Sequence, residues 1–510
     1  MRRGGESLLA SPSVKPRSWL FAAVVAAAAG VRLYRLDHFS LWLDEIMQSY
    51  WAHGSWTFFW ESLRVDANHP PLDFLACRAV AAAGAPDWML RLPPVLWGTA
   101  TVAVFGVLVG RRTTPRAGVA AAALLAFAPF HVRYSQEVRP YALGLLLLTL
   151  SLLFLDRTIE RPRPGAIAAL FVCTVGTFYT LYVAAVTLIV AGLGLLISDA
   201  AAAPGTRREN ARRLLRFSPL FGAAVVLAYL PWWTVAVEAA RRPPPAEATP
   251  ITLDGALRTL GFFAFASGDG QPLGWAGAIY LLLGATGAVL ALAAPGARLF
   301  AIWAIGGFAA IEVLSQIHPH FTATRRFLPA GLGLVALAAI GLARLADAPL
   351  GRAPAAVLLA LFLVADARAL RTYFAEGRVD WRPIAGFLRK NAAPTDRILA
   401  RDAYQRLCLA YYVVGPGFLE RLTRQNAMER EIYPLEGTRI GLATAWPSGR
   451  DAWLVLYGSD PAAASVRRWA SPFSKWDFPK AEGSTVFRLD ALRRDAALGR
   501  EGGDAFASSP

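Results

Sequence analysis

Long apolar blocks dominate the chain up to about residue 371. Trp19–Val31, Pro93–Gly110, Tyr141–Leu155, Phe217–Val237, Leu273–Ala294 and Phe327–Leu345 are close to the ~20 residues that a bilayer-spanning helix needs. None shows the period of a half-buried amphipathic helix, so lipid is the expected surroundings. The whole pattern gives about eleven spans. An odd number puts the two ends of this part on opposite sides of the membrane. Basic residues followed by Phe21–Ala29 also resemble a cleavable signal peptide, but an uncleaved anchor is simpler, because more apolar helices follow.

Three polar segments break the pattern at one face: Arg32–Leu92, His131–Pro140 and Ile317–Arg326. All six histidines (His38, His53, His69, His131, His318 and His320) fall in them. Within the first, short surface helices are expected over about Glu45–His53 and after Pro70-Pro71, where Leu72, Leu75 and Ala79 recur at helical spacing. From Thr372 the composition turns soluble. Asp380–Asn391 reads as an amphipathic helix, and Arg397–Arg401, Ile440–Thr444, Trp453–Tyr457 and Thr485–Leu489 read as strands. The expected fold is thus a mainly α, polytopic membrane protein with a small C-terminal α/β domain. The expected domains are residues 1–371 in the membrane, 372–494 as a soluble extracytoplasmic (periplasmic) unit, and 495–510 as a disordered tail.

Composition supports this layout. Apolar residues make up 55% and charged ones only 17%, below the roughly one quarter of a soluble protein. Lys and Arg number 52 against 36 Asp and Glu, a net charge of +16 that could signal nucleic acid. The placement argues otherwise. With the N-terminus inside, Arg2/Arg3/Lys15/Arg17, Arg111/Arg112/Arg116, Arg157/Arg161/Arg163, Arg207/Arg208/Arg212/Arg213/Arg216, Arg298 and Arg344/Arg352 fall on the cytoplasmic side, while the opposite short loops carry almost none. That is the positive-inside asymmetry, with the C-terminus outside. No basic stripe interleaves with aromatics, so no nucleic-acid partner is expected. Cys77, Cys173 and Cys408 form neither a disulfide framework nor a zinc spacing.

Candidate chemistry lies in the polar segments. Asp44 and Glu45 follow the first span; Asp44 either caps the helix after it or offers a carboxylate at a cavity mouth. In His131–Tyr141, the residues read equally as an ordinary wet loop or as a site, since the short connection holds Glu137 and Arg139 near membrane depth, where ionisable groups are paired or functional. Arg325-Arg326 precede a late span against the positive-inside trend. They suit either a phosphate, met by paired donors, or lipid headgroups. Trp42, Tyr50, Trp88, Trp232 and Trp233 read as an interfacial belt. Gly-rich phosphate loops, metalloprotease helices, nucleophile elbows and Asp-x-Asp pairs are missing, so a soluble nucleotide-sugar or ATP site is unsupported.

In order, Leu33–Leu36 with Leu43-Asp44-Glu45, His69-Pro70-Pro71-Leu72, Leu90-Arg91-Leu92-Pro93 and Tyr134–Leu143 resemble bacterial glycosyltransferase family 39 proteins. These belong to the GT-C superfamily, with the protein O-mannosyltransferases and the lipid A aminoarabinose transferase. Arg325–Pro329 and Asp380–Ile384 are similar to late landmarks of that family. The resemblance spans about residues 30–400. It implies transfer of a sugar from a polyprenyl-phosphate donor to a glycan, lipid or protein acceptor on the outer face of a bacterial plasma membrane, usually with inversion. In that scheme Asp44 is the base and Glu137 a second acid near the site. Arg139, Arg325 and Arg326 meet the departing phosphate, and Glu45, His69 and Tyr134 are further substrate-side candidates. Some relatives bind a divalent metal and others do not. A lipid-linked glycan flippase and a non-catalytic carrier-binding protein are the competing readings; the first needs intramembrane polar residues or paired broken helices.

Overall fold

The computed structural model describes residues 18–241, 259–264, 274–317, 324–375, 380–393, 395–400, 403–425, 432–434, 446, 450–456, 461–478 and 484–493. The expected strand Ile440–Thr444, the tail from residue 495, and His318 and His320 lie outside them.

Among the described residues eight helices are long and apolar enough to cross a membrane, or nine if the bent pair Pro115–Phe127 and Pro129–Ser135 is one span. Two shorter apolar helices, Trp19–Leu33 and Pro164–Phe178, lie beside them. Many side chains on these helices face outward although apolar, among them Leu220, Leu227, Leu282 and Val289. That is the surface a lipid-immersed bundle presents. At its centre Leu328–Asp347 is buried along nearly its whole length. It meets Trp275–Ala293 at backbone contact: a Cβ on Gly287 would lie 2.0 Å from the Leu337 carbonyl oxygen, and one on Gly341 would lie 2.6 Å from that of Leu283. Small residues let membrane helices approach this closely, gaining dispersion contacts that lipid cannot replace.

The bend between Pro115–Phe127 and Pro129–Ser135 is 62°. Pro129 has no N–H to give the Leu125 carbonyl, so carbonyls at the break need other donors. The fully buried Arg32 supplies them, reaching Leu125 O at 3.3 Å and Ala126 O at 3.0 Å. His131–Ser135, expected as loop, is therefore helical, and only the stretch from Gln136 to Pro140 connects to the next span. At the far end of the bundle Arg112 bridges Asp156 and Asp199, and Arg207 pairs with the same two carboxylates. Four helices are tied there by charges that satisfy one another in a poorly solvated place.

The other end carries a cap. Leu43–His53 and Leu72–Ala82 are helical as the spacing suggests, and Trp56–Asp66 is a third helix that the periodicity did not reveal. Ser55 starts it by accepting the Phe58 N–H, and Phe58, Phe59 and Leu63 bury its inner face. The C-terminal strands are β1 Arg397–Ala400, β2 Ile432–Pro434, β3 Ala452–Leu456, β4 Ser474–Phe478 and β5 Ser484–Leu489, in the order β2-β1-β3-β5-β4. The first three are parallel, and β5 runs antiparallel to both β3 and β4. β2 and β4 were not expected.

The sheet and the cap helices share one apolar core, in which Ile46, Tyr50, Phe59 and Phe74 pack with Trp381, Ile384, Leu409 and Val455. Polar contacts reinforce it. Tyr412 Oη accepts the Leu41 N–H at 2.7 Å and donates to Asp87 at 2.8 Å, and Tyr50 Oη donates to Leu407 O. Tyr50 and Trp232 therefore sit inside this core and not in a membrane-interface belt; Trp233 stays exposed.

Candidate active site

Between cap and bundle lies a cavity of about 550 Å³. Four chain segments bring charged groups to it, and each is placed by local structure.

The first is the start of helix Leu43–His53. Its leading N–H groups need acceptors. Glu45 reaches back to the Trp42 N–H at 3.2 Å, so the capping expected of Asp44 falls to its neighbour. Asp44 is instead in the cavity wall, with its side chain about a quarter exposed (26%) and its Oδ2 3.8 Å from both Arg139 and Arg325. At that distance the pairs are electrostatic and not direct hydrogen bonds.

The second is Asp66–His69. Helix Trp56–Asp66 ends on Ala67 in the left-handed region (φ 52°), and this turn sends Asp66, Asn68 and His69 to the same cavity. Asp66 accepts from the Asn68 amide at 2.8 Å, and His69 lies edge-on to Tyr141. Burial, then the positive charges of Arg139 and Arg325, holds His69 well below the usual histidine range, so the ring is neutral at neutral pH.

The third segment, after the helix break, delivers Arg139 and Tyr141. The fourth, Thr324–Phe327, delivers Arg325 and Arg326; Arg326 pairs with Glu312 at 3.4 Å. Arg139 Nε, Arg326 Nε and His69 Nδ1 are all buried with no hydrogen-bond partner among the described residues. Each such atom costs about 1–3 kcal/mol unless something answers it. Leu181, Val183, Ala236, Ala239, Ala240 and Leu314 form an apolar side of the same cavity. The arrangement suits a ligand that is anionic at one end and apolar at the other.

Of the residues singled out in the sequence, Asp44, His69, Arg139, Arg325 and Arg326 line the cavity. Glu45, Glu137 and Tyr134 do not. Glu45 is fully buried, and its partners include Arg91 Nε (2.9 Å), Arg91 Nη2 (2.6 Å) and the N–H groups of Val138 (3.0 Å) and Trp42 (3.2 Å). Glu137 faces Arg133, at 3.4 Å, and Tyr134 packs behind Tyr141. Asp66, Asn68 and Tyr182 were missed. The one signal for Asp66 and Asn68 was their place immediately before His69-Pro70-Pro71. Among the described residues no three His, Cys, Asp or Glu side chains come together to hold a metal ion.

A crossing bundle, a cap built from the first polar loop, and a cavity of carboxylate and guanidinium between them define a GT-C membrane glycosyltransferase fold. The comparisons agree. A family model described as dolichyl-phosphate-mannose-protein mannosyltransferase matches residues 68–233. The structure of ArnT from Cupriavidus metallidurans bound to undecaprenyl phosphate superposes with a TM-score of 0.60, covering 97% of this chain and 99% of that one at 14% identity. Its apo form gives 0.59, with 95% and 99% covered at 13% identity. The Archaeoglobus fulgidus oligosaccharyltransferase in complex with Zn and sulfate gives 0.50, with 88% and 69% covered at 13% identity. No curated protein matches. The family match covers about a third of the chain, and over nearly its whole length the chain has the fold of ArnT, a GT-C glycosyltransferase fold.

Proposed function

We propose that this protein transfers a sugar from a polyprenyl-phosphate carrier to a hydroxyl acceptor at the outer face of a bacterial plasma membrane, with Asp44 as general base. The observation that carries the reading is the cavity itself: one carboxylate flanked by Arg139 and Arg325, with unanswered buried donors on Arg139 and Arg326 and an apolar side wall. A lipid phosphosugar has the matching chemistry, and ArnT, which shares the fold, binds undecaprenyl phosphate. The arginine distribution supports the outward orientation of the cap.

The step balances with one base. The acceptor oxygen attacks the anomeric carbon, its proton passes to Asp44, and the bond from that carbon to the phosphate oxygen breaks with its electron pair. The phosphodiester donor carries one negative charge and the departing polyprenyl phosphate carries two. Arg139, Arg325 and Arg326 meet the added charge, so no acid is required to protonate the leaving group. Fixed donors aimed at developing charge are usually the largest catalytic contribution. Direct displacement of this kind inverts the anomeric centre. Glu45 and Glu137 act one layer back: Glu45 fixes the backbone at Val138, next to Arg139.

The test is label transfer from a panel of polyprenyl-phosphate sugars by purified wild type and Asp44→Asn. The variant is expected to lose about 10²–10⁴-fold in rate while still binding the donor. Transfer at the parent rate would remove Asp44 from the base role.

A further inference from the structure

The end of the bundle away from the cap carries charge that the chain itself does not answer. Asp156 and Asp199 are taken by Arg112 and Arg207, and Glu160 by Arg111. Close by stand Arg161 and Arg163, just before helix Pro164–Phe178, and Arg208, Arg212, Arg213 and Arg216, in the first turns of helix Thr206–Arg241. None of these six pairs with a carboxylate among the described residues. Arg161, Arg163, Arg212, Arg213 and Arg216 are exposed, and Nε of the half-buried Arg208 has no hydrogen-bond partner among the described residues. Packing holds the two segments together: Asn210 donates to Ile159 O at 3.0 Å, and Phe171 meets Phe221 edge-on with ring centroids 6.0 Å apart. Like charges gathered in this way repel one another unless an anion joins them.

The surface beside the arginines is apolar and open. On helix Thr206–Arg241, Phe217 and Leu220 follow Arg213 by four and seven residues, so all three lie along one side of it. Phe217 is 56% exposed and Leu220 70%, and on the neighbouring helix Ile167 is 41% exposed. We propose that this surface binds an anionic phospholipid of the leaflet opposite the cap, with its phosphate on Arg213 and Arg216 and its acyl chains along Ile167, Phe217 and Leu220. Guanidinium groups meet phosphate oxygens with paired donors, and the exposed side chains below them match the order of a lipid, headgroup first and chains after. A zwitterionic headgroup would bring its own cation against the arginines, so charge selects the anionic lipid. This lipid is distinct from any donor in the cavity, and the proposal stands whether or not the chain transfers a sugar.

The test measures lipid binding to the full chain in neutral detergent by native mass spectrometry, with phosphatidylglycerol and phosphatidylcholine of the same acyl chains. Wild type is expected to bind phosphatidylglycerol more tightly. One basic residue at an anionic lipid contributes about fivefold in affinity, so Arg213→Gln combined with Arg216→Gln is expected to weaken that binding about thirtyfold. Both side chains are exposed, and Arg207, Arg208 and Arg212 remain in the variant to mark the topology. Arg344→Gln combined with Arg352→Gln removes the same charge from two other exposed arginines of the basic loops and should leave binding nearly unchanged. Equal losses in the two double variants would reduce the effect to net charge and overturn the site. Loss of binding in Arg325→Gln, with Arg213→Gln and Arg216→Gln without effect, would put the lipid in the cavity and overturn it as well. So would a wild type that binds the two phospholipids alike, or one that binds glycerol phosphate as tightly as phosphatidylglycerol, since the apolar side chains would then contribute nothing.

Discussion

Replacing Glu45 with glutamine is a sharp test of how the site is held. The carboxylate of Glu45 is wholly buried, and each oxygen takes two donors. Oε1 receives Arg91 Nε (2.9 Å) and the Val138 N–H (3.0 Å), and Oε2 receives Arg91 Nη2 (2.6 Å) and the Trp42 N–H (3.2 Å). A carboxylate suits four donors because it only accepts. Glutamine keeps the shape but offers one oxygen, and its amide hydrogens meet N–H groups whichever way it turns. Two bonds are lost, each worth about 1.5–3 kcal/mol to a charged group. Arg91 is left as a buried cation, a situation that costs about 3–5 kcal/mol when one partner of such a pair is removed. The melting temperature in detergent is expected to fall by on the order of 5–10 °C. Asp44→Asn is the control, since its ion pairs are long and partly exposed and contribute about 0–1 kcal/mol. It should therefore melt like wild type while losing transfer. Glu45→Gln melting within a degree of wild type, or Asp44→Asn melting as low as Glu45→Gln, would refute the division of labour between the two acids.

Other expectations follow from the cap. Burial pushes the Asp73 carboxyl up to about 6, above its unfolded value near 3.9, so the folded protein holds an extra proton between those values. Stability should fall as pH rises through about 4 to 6 and then level, by about 3 kcal/mol in all, and Asp73→Asn should flatten the dependence of melting temperature on pH. Tyr412→Phe removes the acceptor of the Leu41 N–H and the donor to Asp87, at about 1–3 kcal/mol; hydrogen exchange at Leu41 should rise, and unchanged exchange would sink the point. Deleting Asp396–Pro510 strips Ile398, Leu409, Tyr411 and Val455 from a core shared with the cap helices, so the truncated chain should be polydisperse in detergent. A monodisperse product with wild-type melting would mean the two parts fold apart.

The bundle was legible in the sequence because lipid imposes a one-letter code: a span must be apolar along about 20 residues whatever it packs against. The cap was less so. Trp56–Asp66 is short, and Phe58, Phe59 and Leu63 face a core completed by residues more than 300 positions later, so local periodicity carries little of its reason to fold. β2 and β4 are brief or on the sheet edge, where alternation is weakest. For the site, residue type pointed to Asp44, His69, Arg139 and the Arg325-Arg326 pair, since ionisable groups at membrane depth are rare enough to notice. Direction was not legible. Nothing in Asp66-Ala67-Asn68 declares a left-handed alanine, and that single φ turns an ordinary polar loop into part of the cavity.

Asp44 and Glu45 show why direction matters more than charge. Consecutive helix residues point about 100° apart, so one turn can present two carboxylates to two environments. Glu45 faces inward, where only an acid saturated with donors is tolerable, and it spends its acceptor capacity on Arg91 and two backbone N–H groups. One of those belongs to Val138, which precedes Arg139, and Arg139 lies 3.8 Å from Asp44. The buried acid therefore sets the distance between the exposed acid and the cation it faces. Exchanging the two side chains, as Asp44→Glu with Glu45→Asp, keeps composition and charge but shortens the inner carboxylate by one methylene and lengthens the outer one. If reach is what separates their roles, this variant should both melt low and transfer poorly, and a variant indistinguishable from wild type would show that the acidic pair works by charge alone.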